Sequence, residues 1–104
     1  MYTIDDILMM KAGDELNKLV ALDIMHDSPG QIWFRDYSTD RSLALEVAEK
    51  FIYYEIARFG KRYDVYIEDG DDDDNKNDNK TGHDQSDDLC LSICRAAVIA
   101  RLGL

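Results

Sequence analysis

An amphipathic run between Tyr37 and Ile52 constrains the fold of this chain more than any other stretch of its sequence. Before the run, a hydroxyl of Ser38 or Thr39 can cap a helix, and Asp40 is favoured near the positive end of the helix dipole. Apolar residues then recur at helical spacing as one broad stripe, made of Leu43, Ala44, Val47, Ala48, Phe51 and Ile52. The pattern predicts a central helix, against which the other elements bury their apolar faces.

Three other segments carry helical signals. Thr3 stands before two acidic residues and a short apolar segment, which is typical of a capped helix start. Leucine, valine and isoleucine at helical spacing predict a second helix from about Asp14 to Met25, followed by turn residues. The pair Asp87-Asp88 opens the last apolar run, which predicts a final helix that ends at Gly103.

After the central helix, the apolar period changes from that of a helix to that of strands. Residues from Glu55 to Phe59 and from Arg62 to Glu68 predict two strands joined by a tight turn at Gly60-Lys61. A brief apolar run from Gln31 to Phe34 predicts either a short strand or a loop that Trp33 anchors in the core.

The length of the chain and its mixture of patterns favour one domain, residues 1–104. The predicted fold class is α+β, with a small antiparallel sheet packed between helices as an α-β-α sandwich. The sequence contains no run of about 18 apolar residues, which a membrane span would need. Its first residues are acidic where a signal peptide would be basic, so a cytoplasmic location is expected.

The formal charge of −10 is concentrated in one segment. Between Glu68 and Asp88, ten carboxylates and two lysines give a net charge of −8, whereas the rest of the chain is nearly neutral. Residues 70–86 show no apolar periodicity and predict a flexible acidic loop. The carboxylates predicted to bind a partner are Glu68, Asp69, Asp71, Asp72, Asp73, Asp74, Asp78 and Asp84.

Two interpretations of the acidic loop stay open. In the first it is a solvated insertion, as charge runs usually are. In the second it is an anionic surface that competes with nucleic acid for a basic partner, since carboxylates on an extended chain and phosphates on one DNA strand repeat at about 3.3–3.4 Å. Direct nucleic-acid binding is disfavoured, because it relies on lysine and arginine side chains that neutralise phosphates.

No pattern in the sequence predicts a catalytic or metal site. Cys90 and Cys94 lie four residues apart on one predicted helix face, where two buried core thiols are the favoured interpretation. A structural zinc would need about two further ligands, and His26 and His83 are the only histidines. A calcium loop from Asn77 to Asp88 would lack the usual first Asp and last Glu, although weak cation binding by the acidic loop stays open. We therefore expect no catalytic residue, no bound metal and no cofactor.

Three blocks of the sequence carry a family resemblance. They are Ala12-Gly13-Asp14-Glu15-Leu16 with Leu19-Val20-Ala21, Tyr37-Ser38-Thr39-Asp40, and Ile93-Cys94-Arg95-Ala96-Ala97. In this order they resemble the blocks of the phage ABA-sandwich domain family, small bacteriophage proteins with helices on both faces of a β-sheet. The chain departs from that pattern at Asp36, where the family often has proline, and in the length of its acidic segment. The resemblance implies the sandwich fold and a phage or prophage origin, and it implies no activity.

The functional expectation is a non-enzymatic phage accessory protein. It would bind, and inhibit, a host nucleic-acid-handling complex of the anti-defence or anti-CRISPR type through its acidic surface, inside the host cytoplasm. The alternative is a small homo-oligomeric scaffold or assembly module, such as a homodimer, whose acidic loop is a solvated insertion. Salt dependence separates the two, because steering by a charged loop weakens as ionic strength rises.

Overall fold

The computed structural model describes residues 2–27, 35–70 and 80–104. Within these ranges the elements follow in the order α1 (Ile4–Leu8), α2 (Asp14–Asp23), α3 (Arg41–Ala48), β1 (Tyr53–Phe59), β2 (Arg62–Asp69), β3 (Lys80–Ser86) and α4 (Leu89–Leu102). The strands form one antiparallel sheet in the order β1-β2-β3. The predicted α+β fold, with a small antiparallel sheet packed against helices, is confirmed.

Local capping fixes the helix starts. At α1 the Thr3 side chain accepts a hydrogen bond from the Asp6 N–H at 3.2 Å, and the Asp6 carboxylate accepts one from the Thr3 N–H at 2.8 Å. At α3 the cap is Asp40, which accepts from the Leu43 N–H at 3.1 Å. The predicted hydroxyl cap at Ser38 or Thr39 is therefore wrong, because a carboxylate one residue later takes that role.

The centre of the fold is α4, not α3 as the sequence pattern predicted. Helix α4 packs on β2 and β3 on one side and on the three other helices elsewhere. Nine of its fourteen residues are buried. A helix that is apolar on all sides belongs in the interior, whereas α3 has one apolar stripe and packs as an outer element. The Asp88 carboxylate caps the start of α4, and Gly103 ends it in a left-handed conformation with φ of 71°.

The predicted hairpin is confirmed and is one part of a larger sheet. Strands β1 and β2 pair from Tyr53 opposite Glu68 to Phe59 opposite Arg62, with Gly60 at φ of 63° in the two-residue turn. The prediction that residues 70–86 lack structure is wrong for β3, which pairs with β2 along its whole length. The expected short strand or anchored loop at residues 31–34 lies outside the described residues, as do residues 71–79.

The described helices lie on one face of the sheet. The inner face of β2 presents Val65 and Ile67, which are fully buried against the helical layer. On the opposite face Asp64 is half-buried, and the His83 side chain is 52% exposed. The layers among the described residues are therefore sheet, α4, and then the remaining helices, and no second helical layer covers the outer face there. No helix in the described part of the chain has the length and apolar character needed to cross a membrane.

Candidate functional site

The three sequence blocks that carry the family resemblance meet at a buried polar junction. The Ser38 N–H and hydroxyl both donate to Asn17 Oδ1, at 2.8 and 2.7 Å. The same hydroxyl accepts from the Gly13 N–H at 3.0 Å, at the start of α2. Asn17 and Ser38 are buried. Because a buried polar group without a partner is costly, these bonds hold α2 and the turn before α3 in one arrangement.

Helix α4 closes this junction from its other side. The Cys94 thiol donates to the Tyr37 carbonyl at 3.2 Å, and the Arg95 guanidinium donates twice to the Met10 carbonyl, at 2.9 and 2.6 Å. Burial raises the pKa of the Cys94 thiol far above its ordinary value, so the thiol stays neutral. The junction therefore stabilises the fold and presents no reactive group to a substrate.

The thiols at positions 90 and 94 belong to the hydrophobic core. Both are buried, and neither forms a disulfide. Burial also raises the pKa of the Cys90 thiol. Within the described ranges, no group of three or more histidine, cysteine, aspartate or glutamate side chains is placed to hold a metal ion.

Of the predicted partner-binding carboxylates, Glu68, Asp69 and Asp84 lie in the described part of the chain. Asp71, Asp72, Asp73, Asp74 and Asp78 lie outside it. Asp69 takes part in a tertiary contact, because its carboxylate accepts from Arg101 Nε at 2.7 Å. The same guanidinium donates to the Asp23 carbonyl at 2.8 Å and lies 5.0 Å from the centre of the Phe51 ring. Asp69 thus joins the sheet to α2 and α4.

Asp84 faces the interior, so its inclusion in the predicted anionic surface needs correction. Its side chain is only 5% exposed and lies 3.5 Å from Arg95 Nη1. Burial raises the pKa of this carboxyl, and the nearby Arg95 charge opposes that effect. A carboxylate in this position offers its charge to α4 rather than to a partner. The error follows from the missed strand, because strand alternation decides which β3 residues point inward.

Glu68 lies on the opposite, outer face of the sheet. Its carboxylate accepts a hydrogen bond from the Tyr66 hydroxyl at 3.0 Å. Burial and this carboxylate raise the pKa of Tyr66, so the phenol stays a neutral donor. The Tyr66 ring meets the Tyr53 ring edge to face, with centroids 6.2 Å apart. Glu68 therefore sits in an ordered cluster of aromatic rings and carboxylates.

The centre of the outer face is a hydrogen-bonded group around Asp64. One carboxylate oxygen of Asp64 contacts His83 Nε2, and the other accepts from Gln85 Nε2 at 3.3 Å. Beside this group a depression of about 210 Å³ is lined by Glu55, Ala57, Asp64, Tyr66 and His83. We call the outer-face residues Tyr53, Glu55, Asp64, Tyr66, Glu68 and His83 the acidic sheet face. Its chemistry is that of one exposed and two half-buried carboxylates beside aromatic rings.

The acidic sheet face could be predicted only in part from the sequence. The alternation of Tyr63, Val65 and Ile67 with their neighbours predicts that Asp64 and Glu68 point away from the core. The sequence suggested a role for His83 only as a possible zinc ligand, because nothing in the local sequence marks β3 as a strand. The pairing of Asp64 with β3 is a tertiary feature, and the local sequence carries no signal for it.

A larger open depression lies between α1 and the start of α2. It measures about 830 Å³, and its lining includes Asp6, Lys11, Asp14 and Glu15. Three carboxylates beside the first turn of α2 disfavour the anions that a helix start would otherwise attract. This depression is therefore not a site for an anionic ligand.

Comparison of the chain with protein-family models, curated proteins and solved structures found no match. The resemblance to phage ABA-sandwich domains stays a prediction from the sequence. Functional conclusions rest on the geometry of this chain.

Proposed function

We propose that this chain is a non-enzymatic interaction protein that binds a basic site on a host nucleic-acid-handling complex. The observation that carries the proposal is the group of carboxylates on the acidic sheet face. Beside Glu68, Asp69 pairs opposite Lys80 across β2 and β3, and residues 71–79 follow Asp69 and Gly70 in the sequence. That segment contains five aspartates and one lysine. The sequence therefore continues β2 with a strongly acidic segment.

The chemistry of this surface fits a partner that ordinarily binds phosphates. Carboxylates at Glu55, Asp64 and Glu68 project from one face, and each accepts the hydrogen bonds that lysine or arginine donates. Electrostatic complementarity of this kind raises the association rate and selects the partner, while the aromatic rings of Tyr53 and Tyr66 supply contact area. Inhibition would follow from occupation of a nucleic-acid-binding groove, as in an anti-defence protein of phage or prophage origin.

The test compares two charge-matched double variants of the full chain. Glu55→Gln with Glu68→Gln removes two charges from the acidic sheet face, and Glu46→Gln with Glu49→Gln removes two exposed charges from the region of α3. Partners are captured from bacterial lysate at low salt, and their association rates are measured as salt is raised. We expect slower association and a shallower salt dependence for the sheet-face variant alone. Equal rates and salt slopes in the two variants would overturn the proposal.

A second arm addresses the acidic segment. Replacement of Asp71, Asp72, Asp73 and Asp74 by Asn should slow association while the melting curve of the chain stays unchanged. Duplex DNA is then added to the complex as a competitor, and it should displace the wild-type chain if the partner uses its nucleic-acid site. If this variant associates at the wild-type rate, the segment is a solvated insertion.

A second candidate function is a homo-oligomeric assembly module. It is favoured by one observation, the accumulation of exposed apolar side chains on β1. Self-association through that strand leaves the part of the acidic sheet face on β2 and β3 accessible, so the two candidates are compatible.

A further inference from the structure

Strand β1 carries an unusual share of the exposed apolar surface. Eight large apolar side chains are exposed among the described residues, and four of them lie at positions 52–59. Phe59 is 68% exposed, Ile52 and Tyr53 are each 44% exposed, and Tyr54 is 37% exposed. These side chains lie at both ends of β1 and on both of its faces, so they follow the length of the strand and do not form one contiguous patch.

The backbone of β1 adds a second feature to this surface. The strand is seven residues long, pairs in continuous register with β2, and stands at the edge of the sheet. Within the described part of the chain no strand pairs with its other edge, and the helical layer packs on β2 and β3 instead. Proline, lysine and bulges, which natural proteins use to protect such edges, are missing from this strand. The edge is open for addition of another strand.

We propose that a second copy of this chain occupies this edge. The two β1 strands pair antiparallel about a twofold axis that passes between their Ile56 residues, perpendicular to the sheet. The two three-stranded sheets then form one continuous six-stranded sheet. This inference rests on the second candidate function, self-association, and it shares only Tyr53 and Glu55 with the acidic sheet face.

Side-chain complementarity selects the register. Residues directly opposite one another in an antiparallel pair share a face, so a twofold arrangement can centre only on a residue paired with itself. With Ile56 at the centre, Tyr53 lies opposite Phe59 on the outer face, and Tyr54 lies opposite Arg58 on the inner face. The first pair is aromatic, and the second brings a guanidinium to a ring. Arg58 lies 5.8 Å from the centre of the Tyr63 ring on β2 and donates to the Gly60 carbonyl, so its guanidinium would turn toward the open edge in the dimer.

The registers centred on Glu55 or Ala57 are less favourable, because they place like charges, or an apolar and a charged side chain, opposite each other. A centre on Glu55 places two carboxylates directly opposite each other, which is destabilising. A centre on Ala57 places Glu55 opposite Phe59 and Ile56 opposite Arg58, so both apolar residues face charged ones. The charge of β1 is balanced, with Glu55 and Arg58 as its only charged residues. Self-complementarity of one strand with itself is what a twofold interface requires, and it favours a second copy over an unrelated strand.

In this dimer the two acidic sheet faces lie on the same side. A twofold axis perpendicular to the sheet keeps outer face beside outer face. The assembly therefore presents two anionic surfaces in one plane, and a partner with two basic sites would bind with increased avidity.

The first experiment measures mass by sedimentation equilibrium at micromolar concentration. The full chain should sediment at twice 11.9 kDa. Two variants should have half the wild-type molar mass and keep the circular dichroism spectrum of the wild type. They are Ile56→Asp and the double change Tyr53→Thr with Phe59→Thr. The second variant changes only exposed side chains and preserves strand propensity, so it covers the case in which Ile56→Asp fails to fold. Met9→Thr, which removes an 80% exposed side chain elsewhere, should leave the dimer intact.

The second experiment tests the register with engineered cysteines. Opposite residues of an antiparallel pair have Cα atoms about 4.5–5.5 Å apart, which suits a disulfide. Ile56→Cys should therefore cross-link two copies under mild oxidation. Phe59→Cys should not, because its two copies would be six residues apart along the strands, about 20 Å. Cross-linking through Phe59→Cys alone would overturn this register.

Three other outcomes distinguish a wrong interface from an absence of self-association. A wild-type chain that stays at 11.9 kDa at all concentrations overturns both the interface and the second candidate function. A dimer that persists in both strand variants overturns the β1 interface and leaves self-association standing. A monomeric chain that captures another protein only when β1 is unaltered shows that the edge binds a different strand, which overturns the assignment to a second copy.

Discussion

Gly82 on β3 lies directly against Ala96 on α4. A Cβ added at position 82 would come within 1.8 Å of the Ala96 carbonyl oxygen and 2.8 Å of the Ala100 nitrogen. Both atoms belong to the helix backbone, which has little freedom to move aside. The contact requires glycine on the strand, since only glycine allows the two backbones to approach this closely.

Gly82→Ala should destabilise the fold. Overpacking of this kind costs about 1–3 kcal/mol in the free energy of unfolding, and contact with rigid backbone places this site at or above the upper value. Urea unfolding of the variant, with Thr81→Ala as an exposed control on the same strand, checks the expectation. An unchanged midpoint for the alanine variant would mean that β3 does not pack on α4 in this way.

This contact explains why β3 was missed in the sequence. The inward-facing positions of the strand include glycine and aspartate, and neither residue favours strands or signals burial. The position of β3 is fixed by pairing with β2 and by the close approach of Gly82 to α4, and both are tertiary features. The hairpin of β1 and β2 could be predicted because its period of two and its turn are local.

The central helix was also misassigned, although the sequence held the relevant signal. The run from Arg41 to Ala48 has a clear apolar stripe, which indicates a helix with one buried side. The run from Leu89 to Leu102 is apolar nearly all round, which is typical of a fully buried helix. For the candidate site, strand alternation in the sequence predicted that Asp64 and Glu68 lie on the outer face. The position of His83 beside them could not be predicted, because the sequence does not mark β3 as a strand.

The bonds between Asn17 and Ser38 should be energetically coupled. Each single change, Asn17→Ala or Ser38→Ala, leaves a buried polar group without its partner, which costs about 1–3 kcal/mol. The double variant should be less destabilised than the sum of the single changes, because the bond between the Ser38 hydroxyl and Asn17 Oδ1 is lost in both single changes and is counted twice in their sum. Denaturant unfolding of the four proteins gives the coupling energy, and strict additivity would contradict the junction.

Val47→Asp tests the buried face of α3. Val47 is fully buried, and an aspartate there would place a charge without a partner between α3 and α4. By analogy with broken buried ion pairs, the cost is roughly 3–5 kcal/mol in the free energy of unfolding. Ser42→Asp adds the same charge at an exposed position of the helix and serves as the control. Thermal unfolding that is identical in the two variants would show that α3 buries a different face.

The two cysteines should be unreactive in the folded chain. Burial raises the pKa of both thiols, and the thiolate is the form that attacks a disulfide reagent. A thiol reagent should therefore modify neither residue in the native protein and both in denaturant. Elemental analysis should find no stoichiometric zinc, and a chelator should leave the melting temperature unchanged. One zinc per chain would overturn the assignment of Cys90 and Cys94 to the core.

Tyr37 should make the fold sensitive to alkaline pH. Burial, and then its hydrogen bond to Asp27 at 2.6 Å, raises the pKa of this phenol to about 12. An acid whose pKa rises on folding favours the folded state while it is neutral. Its contribution is complete below the unfolded pKa of about 10 and is lost as the pH rises through the folded value.

The free energy of unfolding should therefore decrease above pH 10 by up to about 1.4 kcal/mol per pH unit from this group alone. Tyr37→Phe cannot ionise, so its deficit relative to wild type at pH 8, caused by the lost hydrogen bond, should shrink as the pH approaches 12. Urea unfolding of both proteins across this range measures the difference, and the comparison cancels the titration of the other groups. Tyr2→Phe, which changes a phenol bonded to Glu15 near the surface, should produce a much smaller change. A constant difference between wild type and Tyr37→Phe would show that Tyr37 ionises as easily in the folded chain as in the unfolded one.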